Sequence, residues 1–180
     1  MPKAAKLWLE AIRLERRVGN KTIAEAIAAK AAQECPSSGL LWAENLLTCP
    51  KNEQKSKSVE ALKKCDNDPL VILAVAKLFE VDRKGSKARK WFERACALQP
   101  QLGDAWAALY AFEVRQSLIQ DPNKELGAGQ EQLQKIVEQC VAAEPNRGEI
   151  WNSTRKRTEN RRLATEEVLQ KCVEVLLSEK

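Results

Sequence analysis

The sequence predicts an all-α protein, an alpha-alpha superhelix (a right-handed solenoid) of about five helical hairpins. Three observations predict it. A tryptophan phrase returns along the chain, as LWLEAIRLE around Trp8, GLLWAENL around Trp42, DAWAALYAFE around Trp106 and GEIWNSTRK around Trp151. Pro36, Pro100 and Pro145 each precede a tryptophan by six residues, which reads as one helix ending and the next beginning. A second amphipathic segment follows each phrase, clearest in KARKWFERACALQP, where Ala88, Phe92 and Ala95 recur at helical spacing. Self-similarity of this kind marks helix pairs that bury a continuous core only against their neighbours.

Each repeat has its own punctuation. The first, residues 3–37, is anchored by Trp8, with Gly19 closing one helix and Thr22 capping the next. The second, residues 38–67, is anchored by Trp42. The third, residues 68–101, lacks a tryptophan. Laying Phe79 and Glu80 on Phe112 and Glu113 puts Leu73 in the vacant slot. In that repeat Asp68-Pro69 reads as an N-cap followed by proline at the first helical position, and Gly85-Ser86 as a C-terminal glycine followed by the next cap. The anchors at 8, 42, 73, 106 and 151 are then separated by 34, 31, 33 and 45 residues. The long interval lies in the fourth repeat, residues 102–146, where Asp121-Pro122, Gly127 and Gly129 predict an inserted loop over 117–129. The fifth repeat, residues 147–180, ends in TEEVLQKCVEVLLSEK. Its stripe of Val168, Leu169, Cys172, Val175 and Leu176 is expected to pack as a C-terminal cap.

Overlaying the second helices places Ala31, Cys65, Ala95, Cys140 and Cys172 in one small-residue slot, where two helices are expected to cross closely. Trp8, Trp42, Trp106 and Trp151 are expected to fill the space between paired helices rather than to grip a partner. Trp91 is expected to be a core position enlarged once.

Composition excludes several classes of function. The 180 residues include no histidine, which removes the commonest general base and every Ser-His or Cys-His nucleophile pair. No glycine-rich phosphate cradle is present, so the chain is expected not to be an enzyme and to need no cofactor. The six cysteines form no C-x-x-C pair, so they read as small buried hydrophobes in a reducing compartment rather than as metal ligands or disulfides. No apolar run approaches the eighteen or so residues that cross a bilayer, and no membrane partner is expected. The helical phrase starts almost at the N-terminus, as if a longer array had been cut between repeats.

The phrases W-x-x-[A/L]-x-x-[L/F]-E and A-R-x-x-F-E-R-A with a terminal proline resemble the half-a-tetratricopeptide (HAT) repeat of RNA-processing proteins, a relative of the tetratricopeptide (TPR) repeat. The match is carried by Trp8, Leu14 and Glu15, by Leu73, Phe79 and Glu80, by Trp106, Phe112 and Glu113, and by the run from Ala88 to Ala95 with Pro100. More narrowly, TIAEAIAAKAAQECPSSGLLW, KSVEALKKCDNDPLVILAVAKLF and KARKWFERACALQPQLGDAWAALYAFE are similar to the C-terminal end of the pre-mRNA-processing factor 6 family. That resemblance implies a nuclear, non-catalytic scaffold of pre-mRNA splicing that bridges protein components of the spliceosomal tri-snRNP. It carries no catalytic residues over.

Two other readings come from the residues. Arg155, Lys156, Arg157, Arg161 and Arg162 lie in the last repeat of a chain with net charge +5, and could attract RNA phosphates. On a helix, Arg157 and Arg161 would share a face. A solvated polar cap accounts for the same charges, and with no interleaved aromatic any RNA contact is expected to be weak and salt-sensitive. A generic TPR adaptor that clasps a peptide terminus is the other alternative, disfavoured because the basic residues cluster late. The cut N-terminal face, and the stripe that Leu177 widens, could also support self-association, which is the lesser alternative.

Overall fold

Helix formers dominate the segments between the prolines and glycines, and the chain folds accordingly. The computed structural model describes residues 2–120 and 127–178. Among these residues the all-α class holds, with ten α-helices, one short 3-10 turn and no strand. The helices are α1 (Pro2–Val18), α2 (Lys21–Glu34), α3 (Gly39–Thr48), α4 (Lys51–Lys64), α5 (Pro69–Val81), α6 (Gly85–Leu98), α7 (Gly103–Gln120), α8 (Gly127–Ala143), α9 (Glu149–Arg155) and α10 (Thr165–Ser178). The 3-10 turn covers Thr158–Asn160.

Helix ends follow local chemistry. Gly19 closes α1 in the left-handed region at φ +91°. The Asn20 N–H donates to Glu15 O at 2.9 Å and the Gly19 N–H to Arg16 O at 3.1 Å, the bond pair of a Schellman stop. The expected cap at Thr22 is corrected. With only two residues between helices, Asn20 takes the N-cap position and Thr22 lies inside α2. Helix α5 ends in the same way as α1 but on Arg83, at φ +57°, with Lys84 N–H to Phe79 O and Arg83 N–H to Glu80 O, both at 2.9 Å. A left-handed arginine costs roughly 1 kcal/mol. Gly85 therefore does not close α5; it opens α6, and Ser86 lies within that helix. Asp68 caps α5 as its sequence predicts, accepting from Leu70 N–H at 2.9 Å with Pro69 at the first helical position.

The insertion is shorter than its glycines suggest. Ser117 to Gln120 carry no helix breaker, and α7 continues through them. Gly127 and Gly129 fall in the first turn of α8, where no intrahelical bond is yet due. Of the expected loop over 117–129 only 121–126 remains, and those residues lie outside the described ones.

The chain divides into two compact units, Met1–Trp91 and Phe92–Lys180. In the first, Ala24, Ala28 and Ala31 line one face of α2 with no exposure, and Ala5, Leu9, Ile12 and Leu41 pack against them. Small side chains along that face let α1 and α3 approach closely. A second cluster joins Trp42, Leu46, Ala61, Val71, Ala74 and Val75. Trp91 lies partly buried beside it, its ring 6.1 Å from that of Phe79.

In the second unit α7 is the central helix, touching α8, α9 and α10. Ala105 to Leu109, Ala111 and Phe112 are all buried, so the first half of α7 is apolar nearly all round, as a helical segment enclosed by others must be. Phe92 stacks on Phe112 with ring centroids 5.2 Å apart. Val168, Leu169, Cys172 and Val173 bury the inner face of α10, while Val175 and Leu176 are only half-buried.

Candidate interaction surfaces

The recurring proline and tryptophan are joined by a hydrogen bond. Trp42 Nε1 donates to Pro36 O at 2.9 Å and Trp106 Nε1 to Pro100 O at 2.8 Å, so the six-residue spacing ties each connection to the helix that follows. Both rings are buried. Trp8 is partly buried against the first core cluster. Trp151 has no exposure, yet its indole N–H has no hydrogen-bond partner among the described residues, although Pro145 stands six residues before it.

The connection before Trp151 explains the difference. Arg147 N–H and Asn146 N–H both donate to Gln101 O, at 2.9 and 3.1 Å, and Gly103 N–H donates to Arg147 O at 2.8 Å. These bonds zip residues 144–148 onto residues 101–103. Glu144 at φ +46° and Gly148 at φ +128° bend the chain to make this join. Asp104 then caps a helix that is not its own, accepting from the N–H groups of Glu149 (2.6 Å), Ile150 (3.3 Å) and Trp151 (2.9 Å) at the start of α9. Burial pushes the Asp104 carboxyl above the ordinary carboxylate range, against the pull of those three donors. The Trp151 ring lies over Gly103, where a Cβ would overlap it. The signal for this arrangement was the phrase GDAW followed by an α9 start, RGEIW, with no capping side chain of its own.

All five residues of the proposed small-residue slot are buried, but the overlay that placed Cys65 there is off by four residues, one helical turn. Cys35 and Cys65 end α2 and α4 with nearly the same backbone, φ −127° and ψ 66° against φ −124° and ψ 70°. Their N–H groups donate to Ala31 O and Ala61 O respectively. Cys65 therefore corresponds to Cys35, and Ala61, without exposure, takes the place beside Ala31. The two connections, 35–38 and 65–68, have equal length. Cys65 is buried instead against the earlier connection, its Sγ 3.6 Å from Pro36 O. Leu73 is buried in α5 beside Ile72, which is fourth in its helix as Trp42 and Trp106 are in theirs.

Five of the six thiols, all but Cys35, are buried, and all six are free. Burial raises the thiols of Cys49, Cys65, Cys96 and Cys172, and pushes Cys140 up to about 12. Among the described residues no cluster of three or more potential ligands could hold a metal ion, and no helix is long and apolar enough to cross a membrane.

Arg155, Lys156, Arg157, Arg161 and Arg162 are all exposed, but not on one helix. Helix α9 stops at Arg155, Arg157 is extended at φ −64° and ψ 135°, and the 3-10 turn separates it from Arg161. The helical-face argument for Arg157 and Arg161 is thus corrected: buried Asn160 donates from Nδ2 to Thr154 O at 2.9 Å and turns the chain away from the α9 axis. In the same unit, Tyr110 of α7, residues of α8 from Gln130 to Glu138, and Glu166 and Gln170 of α10 line an open groove of about 690 Å³. Its ionisable lining is Glu131, Glu138 and Glu166 against Lys135.

In each unit, hairpins share buried faces, and their connections are tied by tryptophan, aspartate and backbone bonds. This defines a helical-repeat protein. Comparison with known proteins gives the particular kind. The chain is 44% identical over 130 residues, 72% of its length, to Protein STABILIZED1 of Arabidopsis thaliana. It is 43% identical over 104 residues, 58% of its length, to Pre-mRNA-processing factor 6 of Homo sapiens. It is 35% identical over 176 residues, 97% of its length, to Pre-mRNA-splicing factor prp1 of Schizosaccharomyces pombe. The matches cover 12%, 10% and 18% of those proteins, so the chain spans only a small part of each relative's length. No protein-family profile matches. The chain is a pre-mRNA-processing factor 6-like region.

Proposed function

We propose that this chain is a non-catalytic scaffold segment that works in nuclear pre-mRNA splicing, its helical repeats bridging protein components of the tri-snRNP. The observation that carries the reading is similarity along 97% of the chain to a protein named as a pre-mRNA splicing factor. The architecture supports it: the buried residues here are spent on tying one helix pair to the next, which leaves the outer helix faces as the working surface. The boundaries 3–37, 38–67, 68–101, 102–146 and 147–180 are proposed as its repeat units, each holding one of the helix pairs from α1/α2 to α9/α10.

The test is recovery from nuclear extract on the immobilised chain, with and without nuclease, read by mass spectrometry. Tri-snRNP proteins recovered in both arms are the expected result. Their absence from both would sink the proposal.

A further inference from the structure

We propose that the connection between α9 and α10 is a docking surface for the phosphate backbone of RNA. This goes beyond the scaffold reading and does not depend on it. Arg155, Lys156, Arg157, Arg161 and Arg162 are exposed, and none makes an ion pair with a described residue. Some cations elsewhere are paired, Arg16 with Glu44 at 2.6 Å, Lys57 with Glu53 at 2.8 Å and Lys84 with Asp82 at 2.8 Å, while others such as Lys51, Lys55 and Lys63 are exposed and unpaired but lie along one helix with Glu53 and Glu60 between them. One acid, Glu159, lies among the five, and Glu167 of the next helix is engaged by the Ala164 N–H at 2.8 Å. Unit charge sharpens the contrast. Phe92–Lys180 carries twelve basic and fourteen acidic side chains, so this cluster is a local excess in a unit that is otherwise acidic.

The cations stand on a fixed frame. Asn160 is 3% exposed and bonds Thr154 O, Asn160 N–H donates to Arg157 O at 3.0 Å, and Leu163 N–H donates to Asn160 O at 3.2 Å. A held connection loses less conformational freedom on binding than a free one.

Two features select RNA over an acidic protein segment. Beyond Val141 no described large apolar side chain is exposed. A protein partner draws most of its affinity from buried aromatic or aliphatic anchors, and the only apolar side chain described among these cations, Leu163, is itself half-buried. Phosphates ask only for charge and donors, and four of the five cations are guanidinium groups suited to bidentate contact. Without an exposed aromatic platform the contact reads backbone rather than bases, so affinity is insensitive to sequence and steep in salt.

The test is fluorescence anisotropy with a labelled 20-nucleotide RNA hairpin between 50 and 200 mM salt. It compares the wild-type chain with R155Q/R157Q/R161Q and with K51Q/K55Q/K63Q, which removes three exposed lysines of α4. Circular dichroism checks that both variants fold. The arginine variant should bind at least tenfold more weakly at 50 mM salt. Its slope of log K against log salt should be shallower by about 2.7, at about 0.9 per cation removed. The lysine variant should stay within about twofold of wild type. Absence of wild-type binding, equal loss in the two variants, or tighter binding of an acidic peptide of equal charge would each overturn the proposal.

Discussion

The connection joining α2 to α3 in the first unit and the one joining α8 to α9 in the second present the same proline and tryptophan six residues apart, yet they are held differently. In the first, Trp42 closes on Pro36 O, and the neighbouring Asp68 caps its own helix through one N–H, with its carboxyl resting where a Cβ on Gly39 would sit. In the second, Asp104 reaches across to cap α9 through three N–H groups, Arg147 is zipped to Gln101 and Gly103, and the Trp151 indole N–H has no partner among the described residues. Apart from the Cys65 Sγ contact to Pro36 O, the first junction is a set of local bonds. The second exchanges one local bond for several that join residues 101–104 to residues 146–151.

The largest test of that contrast is the aspartate pair. Asp68→Ala removes one cap bond and should cost about 1 kcal/mol. Asp104→Ala strands three donors of another helix and should cost about 3 kcal/mol, because hydrogen bonds to a charged acceptor count for more. Burial works against the charge of Asp104, so Asp104→Asn, which keeps one of the two acceptor oxygens but sets its amide NH2 against a remaining N–H, should recover only part of that loss. Urea unfolding curves measure both. Equal costs at the two aspartates would erase the distinction.

The glycines follow. A methyl at Gly103 must displace the ring of fully buried Trp151, and Gly103→Ala should cost about 2 kcal/mol. A methyl at Gly39 meets only the far end of the Asp68 side chain, which can swing away at the cost of its cap, about 1 kcal/mol. A double-mutant cycle sharpens this: in an Asp68→Ala background Gly39→Ala should cost almost nothing, since the cap it disturbs is already gone. Additive losses would show that Asp68 is not what Gly39 makes room for.

Smaller still is the worth of the indole N–H. Replacing tryptophan with benzothienylalanine, which keeps ring shape but exchanges N–H for sulfur, should cost about 1 kcal/mol at Trp42, where Pro36 O loses its donor. At Trp151 the same exchange removes a buried donor that has no acceptor, and should be neutral or stabilising. A cost at Trp151 equal to that at Trp42 would reveal an acceptor for its N–H.

What the sequence made legible was whatever chemistry is local to it. The spacing of Pro36 to Trp42 and of Pro100 to Trp106 is one bond seen as a period, and Asp68-Pro69 and Gly19 act on their own helix ends. The misread features depend on residues distant in sequence or on connection length. Asn160 ends the path of α9 from six residues away, which scattered the arginines that a continuous helix would have aligned. Asp104 serves a helix 45 residues downstream, which no cap pattern at α9 reveals. Arg83, where glycine was expected, reaches the left-handed region because the Phe79 and Glu80 carbonyls are there to bind the turn. The arginine cluster was visible as charge, but its lack of ion-pair partners and its fixed frame were visible only in three dimensions.

The smallest effect per residue lies in the thiols, and it too separates the units. Folding holds Cys49 and Cys65 in the first unit, and Cys96, Cys140 and Cys172 in the second, above the ordinary thiol value of 9.0. The unfolded chain releases those protons as pH rises through 9.0, while the native chain keeps them, up to about 12 at Cys140. The native state then binds more protons than the unfolded one, so stability contributed by the neutral thiols is full below about pH 9 and declines above it. Thermal unfolding between pH 7 and 11 should show that decline, and Cys96→Ala/Cys140→Ala should flatten it more than Cys49→Ala/Cys65→Ala does, since the deeper pair is Cys96 and Cys140. At pH 8 in native buffer a thiol reagent should modify Cys35 first, the one cysteine that is not buried, with the other five reacting only in denaturant. Rapid reaction of Cys96 or Cys140 in the native protein would mean that the second unit opens readily, and that its shared junction does not hold it as the hydrogen bonds imply.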